Sequence, residues 1–163
     1  NAAVFCPWIT VAAPGSGAAE PESPAERAVD PRVEAALASA RLGYIVDEGD
    51  FRLKYDVADG RSQLVWIASG TAKLDQLEIR DVWSIASRGE GAPPAELAGY
   101  LLKENARMIL GAWQVNQGPE EYLVVFSAPV VATADAATLQ EVIEVVMLSA
   151  DRIEKELTGK DEF

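Results

Sequence analysis

Acidic side chains are the only potentially reactive groups that cluster in this sequence. Asp47, Glu48 and Asp50 lie within one short run, and carboxylate oxygens are the ligands that Ca²⁺ prefers. An EF-hand spreads its ligands over a loop of about twelve residues. The acidic run is much shorter, so it predicts a solvated turn instead of a calcium site.

Three further carboxylates, Glu104, Asp151 and Glu154, fall within predicted helices. We interpret them as exposed charges or as members of ion pairs along a helix, such as Asp151 with Lys155 at i,i+4. The sequence contains no histidine. The commonest general base and the commonest metal ligand are therefore missing.

One cysteine and one glycine-serine motif complete the search for catalytic groups. Cys6 is the only cysteine, so neither an internal disulfide nor a thiolate zinc site can form. Gly15-Ser16-Gly17 lies in a stretch without strand or helix periodicity, whereas nucleophile elbows and phosphate loops join a strand to a helix. We therefore predict no catalytic residue, no metal and no cofactor, and hence a protein that is not an enzyme.

Composition and charge limit the class of protein further. The chain has 163 residues, of which 49% are hydrophobic and 25% are charged, as is typical of one soluble globular domain. Its formal charge of −12 argues against direct nucleic-acid binding, which requires a basic surface. No apolar run approaches the roughly 18 residues that span a membrane. We expect a cytoplasmic protein without membrane contact.

The first 29 residues differ in composition from the rest. They are rich in Ala, Pro, Gly and Ser and show no sustained helix or strand period. We expect residues 1–29 to be a flexible N-terminal arm, or a remnant of processing or expression, and residues 30–163 to be the folded domain. The apolar start of the arm matches a secretory signal poorly, because no basic residue precedes it. The arm side chains that we interpret as docking on a neighbour are Phe5, Trp8 and Ile9.

Capping signals and strand periodicity order the first half of the folded domain. Asp30-Pro31 predicts the start of a helix that ends near Gly43. Alternating apolar residues then predict three or four strands, with a hairpin turn at Asp59-Gly60 and a bulge or bend at Asp81. The predicted strands cover residues 44–46, 51–57, 63–69 and 77–85.

The second half contains two helices and two strands. Pro93-Pro94 closes a predicted linker (89–94) and starts a helix over 95–110, and strands follow at 112–116 and 122–131. Asp135 caps a last helix that runs to Leu157, with a core-facing stripe at helical spacing. The grouped strands predict an α+β domain with an antiparallel sheet of five or six strands and three helices. The predicted order is helix, three or four strands, helix, two strands, helix.

Several apolar residues are candidates for partner binding. Trp66, Trp83 and Trp113 fall on predicted strands. One interpretation places them in the core, and the other makes one of them the floor of a peptide groove, because tryptophan is enriched at such anchors. Val142 and Val145 widen the stripe of the last helix, so that helix can pack on the sheet and still offer an edge to a partner.

Short motifs follow one another in a characteristic order: Leu42-Gly43-Tyr44, Leu102-Lys103-Glu104-Asn105, Gly111-Ala112-Trp113, Ala128-Pro129-Val130, Thr138-Leu139 and Ala150-Asp151-Arg152. In this order and spacing the chain resembles the YbjN-like family over about residues 31–158, and domains of that family look like type III secretion chaperones. The resemblance implies a small acidic α+β dimer that binds another protein. It also implies structural roles for four residues: Gly43 and Gly111 as helix ends, Asn105 in a polar bond at a helix end, and Trp113 as a strand anchor.

We therefore expect a protein-binding adaptor or chaperone that forms a homodimer. The acidic charge favours a basic client, such as a DNA- or RNA-binding protein, through electrostatic steering. Two other classes stay open: a sensory or regulatory module that binds a small ligand, and a carboxylate- or metal-dependent enzyme. The residues that we expect at a partner or dimer interface are Leu101, Met108, Trp113, Trp66, Trp83, Val142 and Val145.

Overall fold

The structure is a computed structural model that describes residues 28–163. The predictions for Cys6, Trp8 and the rest of the arm up to residue 27 lie outside the described residues. The elements within 28–163 are α1 (Pro31–Ala40), β1 (Ile45–Asp47), β2 (Asp50–Asp56), β3 (Ser62–Ile67), β4 (Ala72–Leu74), β5 (Leu77–Glu90), α2 (Ala95–Asn105), β6 (Ala112–Gln117), β7 (Glu121–Val131) and α3 (Ala136–Thr158).

The strands form one antiparallel sheet in the order β1-β2-β3-β5-β7-β6, and β4 pairs with the start of β5. An α+β domain with an antiparallel sheet and three helices is thereby confirmed for the described residues. Five strands, rather than three or four, separate the first two helices. The additional strand, β4, has three exposed side chains, so no apolar alternation marks it in the sequence.

Both predicted aspartate caps are confirmed. Asp30 Oδ1 accepts the backbone N–H of Arg32 at 2.8 Å at the start of α1. Asp135 Oδ1 accepts the backbone N–H of Thr138 at 2.8 Å at the start of α3. Each cap satisfies one of the N–H groups that the first turn of a helix leaves without a partner.

Neither Gly43 nor Gly111 ends a helix, in contrast to what the resemblance implies. α1 ends at Ala40, its C-cap Arg41 adopts the left-handed conformation (φ 57°), and α2 ends at Asn105, short of the predicted residue 110. Gly111 has a φ of 81°, and a Cβ at this position would lie 2.8 Å from the carbonyl oxygen of Ser127. Glycine is therefore required where the chain enters β6 against β7.

The predicted linker at 89–94 is wrong at its start, because β5 continues to Glu90. Gly89 lies opposite Tyr122 in the β5–β7 ladder. A Cβ on Gly89 would lie 2.5 Å from the Tyr122 ring. This glycine therefore allows close packing within a strand and does not mark a loop.

The bulge in β5 lies between Ile85 and Ser87, and not at Asp81, which pairs in register with Pro129. A bulge takes one residue out of the hydrogen-bonding ladder. The buried Gln63 side chain of β3 donates from Nε2 to the Ile85 carbonyl at 2.8 Å. It thereby satisfies an acceptor at this irregularity.

Alternate side chains of the sheet point to two faces, and these faces differ in what covers them. One face, which we call the covered face, packs against the helices in one hydrophobic core. Its core residues from the strands include Phe51, Leu53, Val65, Ile67, Val82, Val124, Phe126 and Ala128, and those from the helices include Val33, Leu37, Leu101, Leu139, Ile143, Val146 and Ile153.

The opposite face of the same strands is outside this core. The side chains on it alternate with those of the covered face, and among the described residues none of them belongs to the core cluster that the helices share. We call this surface the open face, and it consists of Leu64, Trp66, Asp81, Trp83, Ile85, Val125 and Ser127. Val125 and Ser127 are buried by their neighbours on the sheet and Trp66 is only 9% exposed, so the accessible part of this face is formed by the half-buried Leu64, Asp81, Trp83 and Ile85 together with the edge of Trp66.

Candidate protein-binding surfaces

Two tryptophans form the centre of the open face. Trp66 of β3 and Trp83 of β5 lie directly opposite each other in the ladder. Their rings stack with centroids 4.6 Å apart and an interplanar angle of 7°. Trp66 Nε1 donates to Asp47 Oδ2 at 3.1 Å, and the same carboxylate pairs with Arg52 at 3.2 Å. The stack is therefore held in a defined orientation, with charged groups along its β1–β2 side.

Aliphatic and polar groups surround this aromatic centre. Ile85 lies two positions beyond Trp83 on the same face, opposite Val125. Asp81 lies two positions before Trp83, and Ser127 is the residue opposite Trp83. Burial raises the pKa of Asp81, and a hydrogen bond from Ser127 opposes that rise. The open face thus combines apolar area with hydrogen-bonding groups, as the central parts of protein interfaces do.

Strand β6 forms one edge of the sheet, and a side chain at the end of α2 forms hydrogen bonds with part of the β6 backbone. Asn105, at the end of α2, donates from Nδ2 to the Trp113 carbonyl at 3.1 Å and accepts the Trp113 N–H at 2.6 Å. The predicted bond from Asn105 to backbone is therefore confirmed. Backbone groups alternate in direction along an antiparallel strand. Val115 and Gln117 consequently direct their N–H and C=O groups away from β7, as Trp113 does.

Large apolar side chains are exposed beside this edge. Leu102 is 71% exposed and Ile109 is fully exposed, while Met108 is half-buried. Leu102 lies three residues before Asn105, so the two share one side of α2. An open strand edge next to exposed apolar side chains is a site at which chains associate. We call this the α2–β6 surface: Leu102, Met108, Ile109 and the outward backbone of Val115 and Gln117.

The interface prediction is corrected at Leu101, Trp113 and Val142. All three belong to the buried core cluster, because their side chains point to the space between the helices and the covered face. They are therefore not part of a surface that a partner can reach. The other predicted interface residues lie on three different surfaces: Trp66 and Trp83 on the open face, Met108 on the α2–β6 surface, and Val145 on the outer side of α3.

Glu104 is buried and paired, so of the two alternatives predicted for it the exposed charge is wrong and the ion pair, with Arg107 at i,i+3, is confirmed. Only 5% of this residue is exposed. Its carboxylate pairs with Arg107 at 2.8 Å and with Arg152 of α3 at 2.6 Å. The two arginines satisfy the buried charge and link α2 to α3. The residue is therefore structural.

Arg61, just before β3, forms ion pairs with the two remaining helix carboxylates. Its guanidinium pairs with Asp151 at 2.6 Å and with the fully buried Glu154 at 2.8 Å. Burial raises the pKa of Glu154. The predicted pair of Asp151 with Lys155 is wrong, because Lys155 pairs with Asp59 at 2.9 Å. These carboxylates hold α3 against the sheet.

The acidic run at 47–50 forms the predicted turn. Glu48 and Gly49 both have positive φ values, 53° and 89°, and they connect β1 to β2 as a two-residue hairpin. Asp47 contacts Trp66 and Arg52, as described above. Within residues 28–163 no three side chains of the metal-ligating types converge.

A shallow cavity lies between α1 and the adjacent ends of β5 and β7. Its volume is about 10 Å³, room for about one water molecule, whereas pockets for small ligands usually measure about 300–1,000 Å³. Its lining includes Arg32, Val33, Arg80, Val130 and Leu139. None of the helices in 28–163 combines the length and the apolarity needed to cross a bilayer.

Comparison of the sequence with protein-family models and with curated proteins finds no match. The resemblance to the YbjN-like family therefore stays a prediction. The surfaces described above carry the functional argument instead.

Proposed function

We propose that this chain is a non-enzymatic protein-binding adaptor or chaperone that acts as a homodimer. The observation that carries the proposal is the open face, where the stacked Trp66 and Trp83 rings lie outside the core shared with the helices. Tryptophan is enriched at the energetic centres of protein interfaces. The resemblance to YbjN-like proteins supports the same class of function.

In this proposal the client places an apolar or aromatic side chain on the tryptophan stack. Leu64 on β3 and Ile85 on β5 extend the apolar area along the two strands that carry the tryptophans. Asn116, on the β6 side of the same face, has a buried Nδ2 without a hydrogen-bond partner in the described residues. A buried donor without a partner costs free energy. A carbonyl group of the client that accepts from Asn116 removes this cost and adds orientation.

The charge of the chain favours a basic client. A net charge of −12 accelerates association with a partner of opposite sign, and salt screens this effect. A DNA- or RNA-binding protein fits this description, whereas nucleic acid itself is repelled. The adaptor therefore reaches nucleic acid only through its client, and it needs neither a cofactor nor a membrane.

The second copy of the chain binds at the α2–β6 surface. Asn105 occupies the outward backbone groups of Trp113, which leaves those of Val115 and Gln117 for pairing. An antiparallel pair of β6 strands centred on Asn116 satisfies them about a two-fold axis. Leu102 and Ile109, which are exposed in the single chain, supply the apolar contact beside this pair.

A sensory or regulatory module that binds a small ligand is the alternative function. The cavity beside α1 is smaller than most ligand pockets, so the protein-binding function is preferred. A thermal-shift screen against metabolites separates the two. The alternative requires a rise in Tm with one metabolite, because a ligand that binds only the folded state stabilises it.

Capture of partners by the full chain tests the proposed function. Wild type, Trp83→Ser and the control Leu148→Ser are each immobilised on a resin. The resins are incubated with lysate of the source organism and washed at low or high salt. Leu148 is an exposed apolar residue on the outer side of α3, so its variant removes apolar area at a different surface. We expect one dominant basic partner at near-equal stoichiometry, lost at least tenfold with Trp83→Ser and retained with Leu148→Ser. Equal capture by all three proteins contradicts the role of the open face.

Capture at the two salt concentrations tests the electrostatic part separately. Steered association weakens as ionic strength rises. We expect less partner at high salt, with the same dependence on Trp83. Capture that is unchanged by salt removes the argument for a basic client and leaves the aromatic contact in place.

A further inference from the structure

We infer that the client binds the open face through an extended segment in which an arginine or lysine lies between two apolar side chains. One apolar side chain contacts the tryptophan stack, the basic side chain pairs with Asp81, and the other apolar side chain contacts a second apolar patch on the same side of the sheet. The inference rests on the proposed function, because it names the part of the client that occupies that site.

The second apolar patch lies where β4 and β5 form a hairpin. Two-residue steps along β5 lead from Trp83 back to Ile79 and Leu77, and β5 pairs with β7 without a register shift over this stretch, so these side chains share one side of the sheet. Val131 of β7 lies opposite Ile79, and Leu74 of β4 lies opposite Leu77. We call Leu74, Leu77, Ile79 and Val131 the hairpin patch.

The hairpin patch is accessible to a partner. Leu74 is 75% exposed, Leu77 is 45% exposed and Val131 is 44% exposed. None of the four side chains belongs to the core cluster of the described residues. Single exposed apolar residues are common on protein surfaces, whereas several that adjoin one another mark an interaction site. The exposed Pro129, opposite Asp81, continues the apolar surface from this patch towards the tryptophan stack.

Asp81 lies between the two apolar areas and lacks a cationic partner. It is two positions from Ile79 and two from Trp83 along β5, and it is half-buried. Within residues 28–163 no lysine or arginine forms an ion pair with it, and its hydrogen bond comes from Ser127. Burial disfavours a charged carboxylate. A cation from the client offsets this cost, and the client covers the charge from water, which strengthens the pair.

The spacing along β5 matches that of an extended client segment. Alternate residues of an extended chain are about 7 Å apart, and Ile79, Asp81 and Trp83 are alternate residues of β5. A segment that runs along β5 therefore places its side chains i, i+2 and i+4 over the hairpin patch, the carboxylate and the tryptophan stack. The required pattern is apolar-x-basic-x-apolar, in either chain direction.

A basic segment is a better occupant than a second copy of the chain. The apolar areas alone fit either occupant. A second copy carries the same formal charge of −12, and like charges oppose contact, whereas a cation placed at Asp81 is attracted. The charge in the middle of the surface therefore selects the client.

Selection from a peptide library on the full chain tests the inference. Short random segments displayed on phage are selected on immobilised wild type and, in parallel, on Asp81→Asn. We expect the segments enriched on wild type to carry an arginine or lysine two positions from an apolar residue on each side, one of them aromatic. We expect the basic position to lose its enrichment on Asp81→Asn. Enrichment of other patterns, or of none, overturns the inference.

The affinity of the most enriched segment, as a fluorescent synthetic peptide, is then measured by anisotropy. We expect its Kd to rise at least tenfold with Asp81→Asn and about fivefold with Leu77→Ser. The matched controls are Glu144→Gln and Leu148→Ser on the outer side of α3, which remove one exposed negative charge and a leucine that is 51% exposed. Both controls keep the Kd within about twofold. Equal effects at the two surfaces overturn the inference.

Two measurements without peptide separate binding from other roles. Asp81→Asn unfolds at a urea concentration no lower than wild type, because the variant removes an unpaired half-buried charge. A lower midpoint together with weaker binding assigns Asp81 to the fold and overturns its pairing with the client. Light scattering of Leu77→Ser shows unchanged association. Weaker association assigns the hairpin patch to a second copy and likewise overturns the inference.

The outcome for the segment is distinguishable from that for the proposed function. Peptide binding and lysate capture that depend on Trp83 but not on Asp81 or Leu77 reject the inference and leave the proposed function intact. Peptide binding that depends on all three residues, without any partner captured from lysate, supports the inference and rejects the adaptor function.

Discussion

The two faces of the sheet are built from the same strands but differ in whether the helices cover them. On the covered face, Phe51, Val82 and Phe126 are fully buried against the helices. On the open face, the rings of Trp66 and Trp83 stack on each other, Trp66 keeps 9% of its surface exposed, and Trp83 is half-buried. A single residue step along a strand therefore separates a side chain in the helix-covered core from one outside it, where we propose that a partner binds.

Truncation of one aromatic residue on each face is expected to show this contrast most strongly. Phe126→Ala removes a fully buried ring and lowers the free energy of unfolding by about 3–5 kcal/mol. Trp83→Ala removes a half-buried ring that lies outside the core shared with the helices, so we expect a loss of about 1 kcal/mol. Urea unfolding followed by circular dichroism measures both. Equal losses contradict the division between the faces.

The ion pair between Asp30 and Arg80 is expected to have the next largest effect. Arg80 on the covered face has 2% of its side chain exposed, and loss of one partner from a buried pair costs about 3 kcal/mol or more. Asp30→Ala leaves this guanidinium without its carboxylate and also removes the cap of α1. Asp135→Ala is the matched control, since it removes only the cap of α3, at about 1 kcal/mol. The difference between the two variants in urea unfolding reports the two ion pairs of Asp30, with the buried Arg80 and with the more exposed Arg32 at 2.7 Å. An exposed pair adds about 1 kcal/mol at most, so similar losses in the two variants would show that the buried pair adds nothing.

Acid titration of the wild type and Asp30→Ala sharpens this result. The guanidinium of Arg32, and then that of Arg80, hold the pKa of Asp30 well below its usual range. The carboxylate therefore stabilises the fold above its ordinary pKa of about 3.9, and this contribution is lost as the pH falls below that value. We expect the stability difference between the two proteins to shrink in acid. A difference that stays constant to pH 2 contradicts the assignment.

The α2–β6 surface is expected to affect association rather than folding. Ile109→Ser removes a fully exposed side chain, so the free energy of unfolding of the single chain changes by less than about 0.5 kcal/mol. The Kd of the proposed dimer rises about tenfold, equivalent to about 1.4 kcal/mol. Light scattering over a concentration series measures this. Wild type that remains a monomer at every concentration contradicts the dimer, and Leu148→Ser serves as the exposed control.

Asp81 on the open face is expected to give the smallest effect, with the opposite sign to Asp30. Burial raises its pKa, so the folded protein binds the proton more tightly than the unfolded chain, and stability falls as the carboxyl ionises with rising pH. Asp81→Asn then stabilises the domain by less than about 1 kcal/mol at neutral pH and has no such effect at pH 3. Destabilisation at neutral pH contradicts the account.

Local signals in the sequence predict much of the fold. The caps at Asp30 and Asp135 and the stripe of α3 depend on neighbouring residues only, and all are found in the structure. Features that depend on distant residues are missed. Arg61 lies 90 positions from Asp151, so no local pattern shows that it pairs with this carboxylate or with Glu154.

The candidate surfaces are predicted only in part, for a geometric reason. Leu101 and Leu102 are adjacent, and one helical step rotates the side chain by about 100°. Leu101 therefore enters the core while Leu102 faces solvent. Periodicity identifies an apolar stripe, but the edge of the stripe depends on where β6 and α3 lie. The same applies to Trp113 and Trp83, which have similar sequence contexts and lie on opposite faces.

Protection of the two tryptophans in the complex tests the central claim most directly. Hydroxyl-radical footprinting with mass spectrometry compares the full chain alone and with its captured partner, residue by residue. The account predicts that oxidation of Trp66 and Trp83 falls severalfold in the complex, while oxidation of Leu148 on the outer side of α3 is unchanged. Unchanged oxidation of both tryptophans, with protection at Leu148 and Val145, would place the client on α3 and contradict the account.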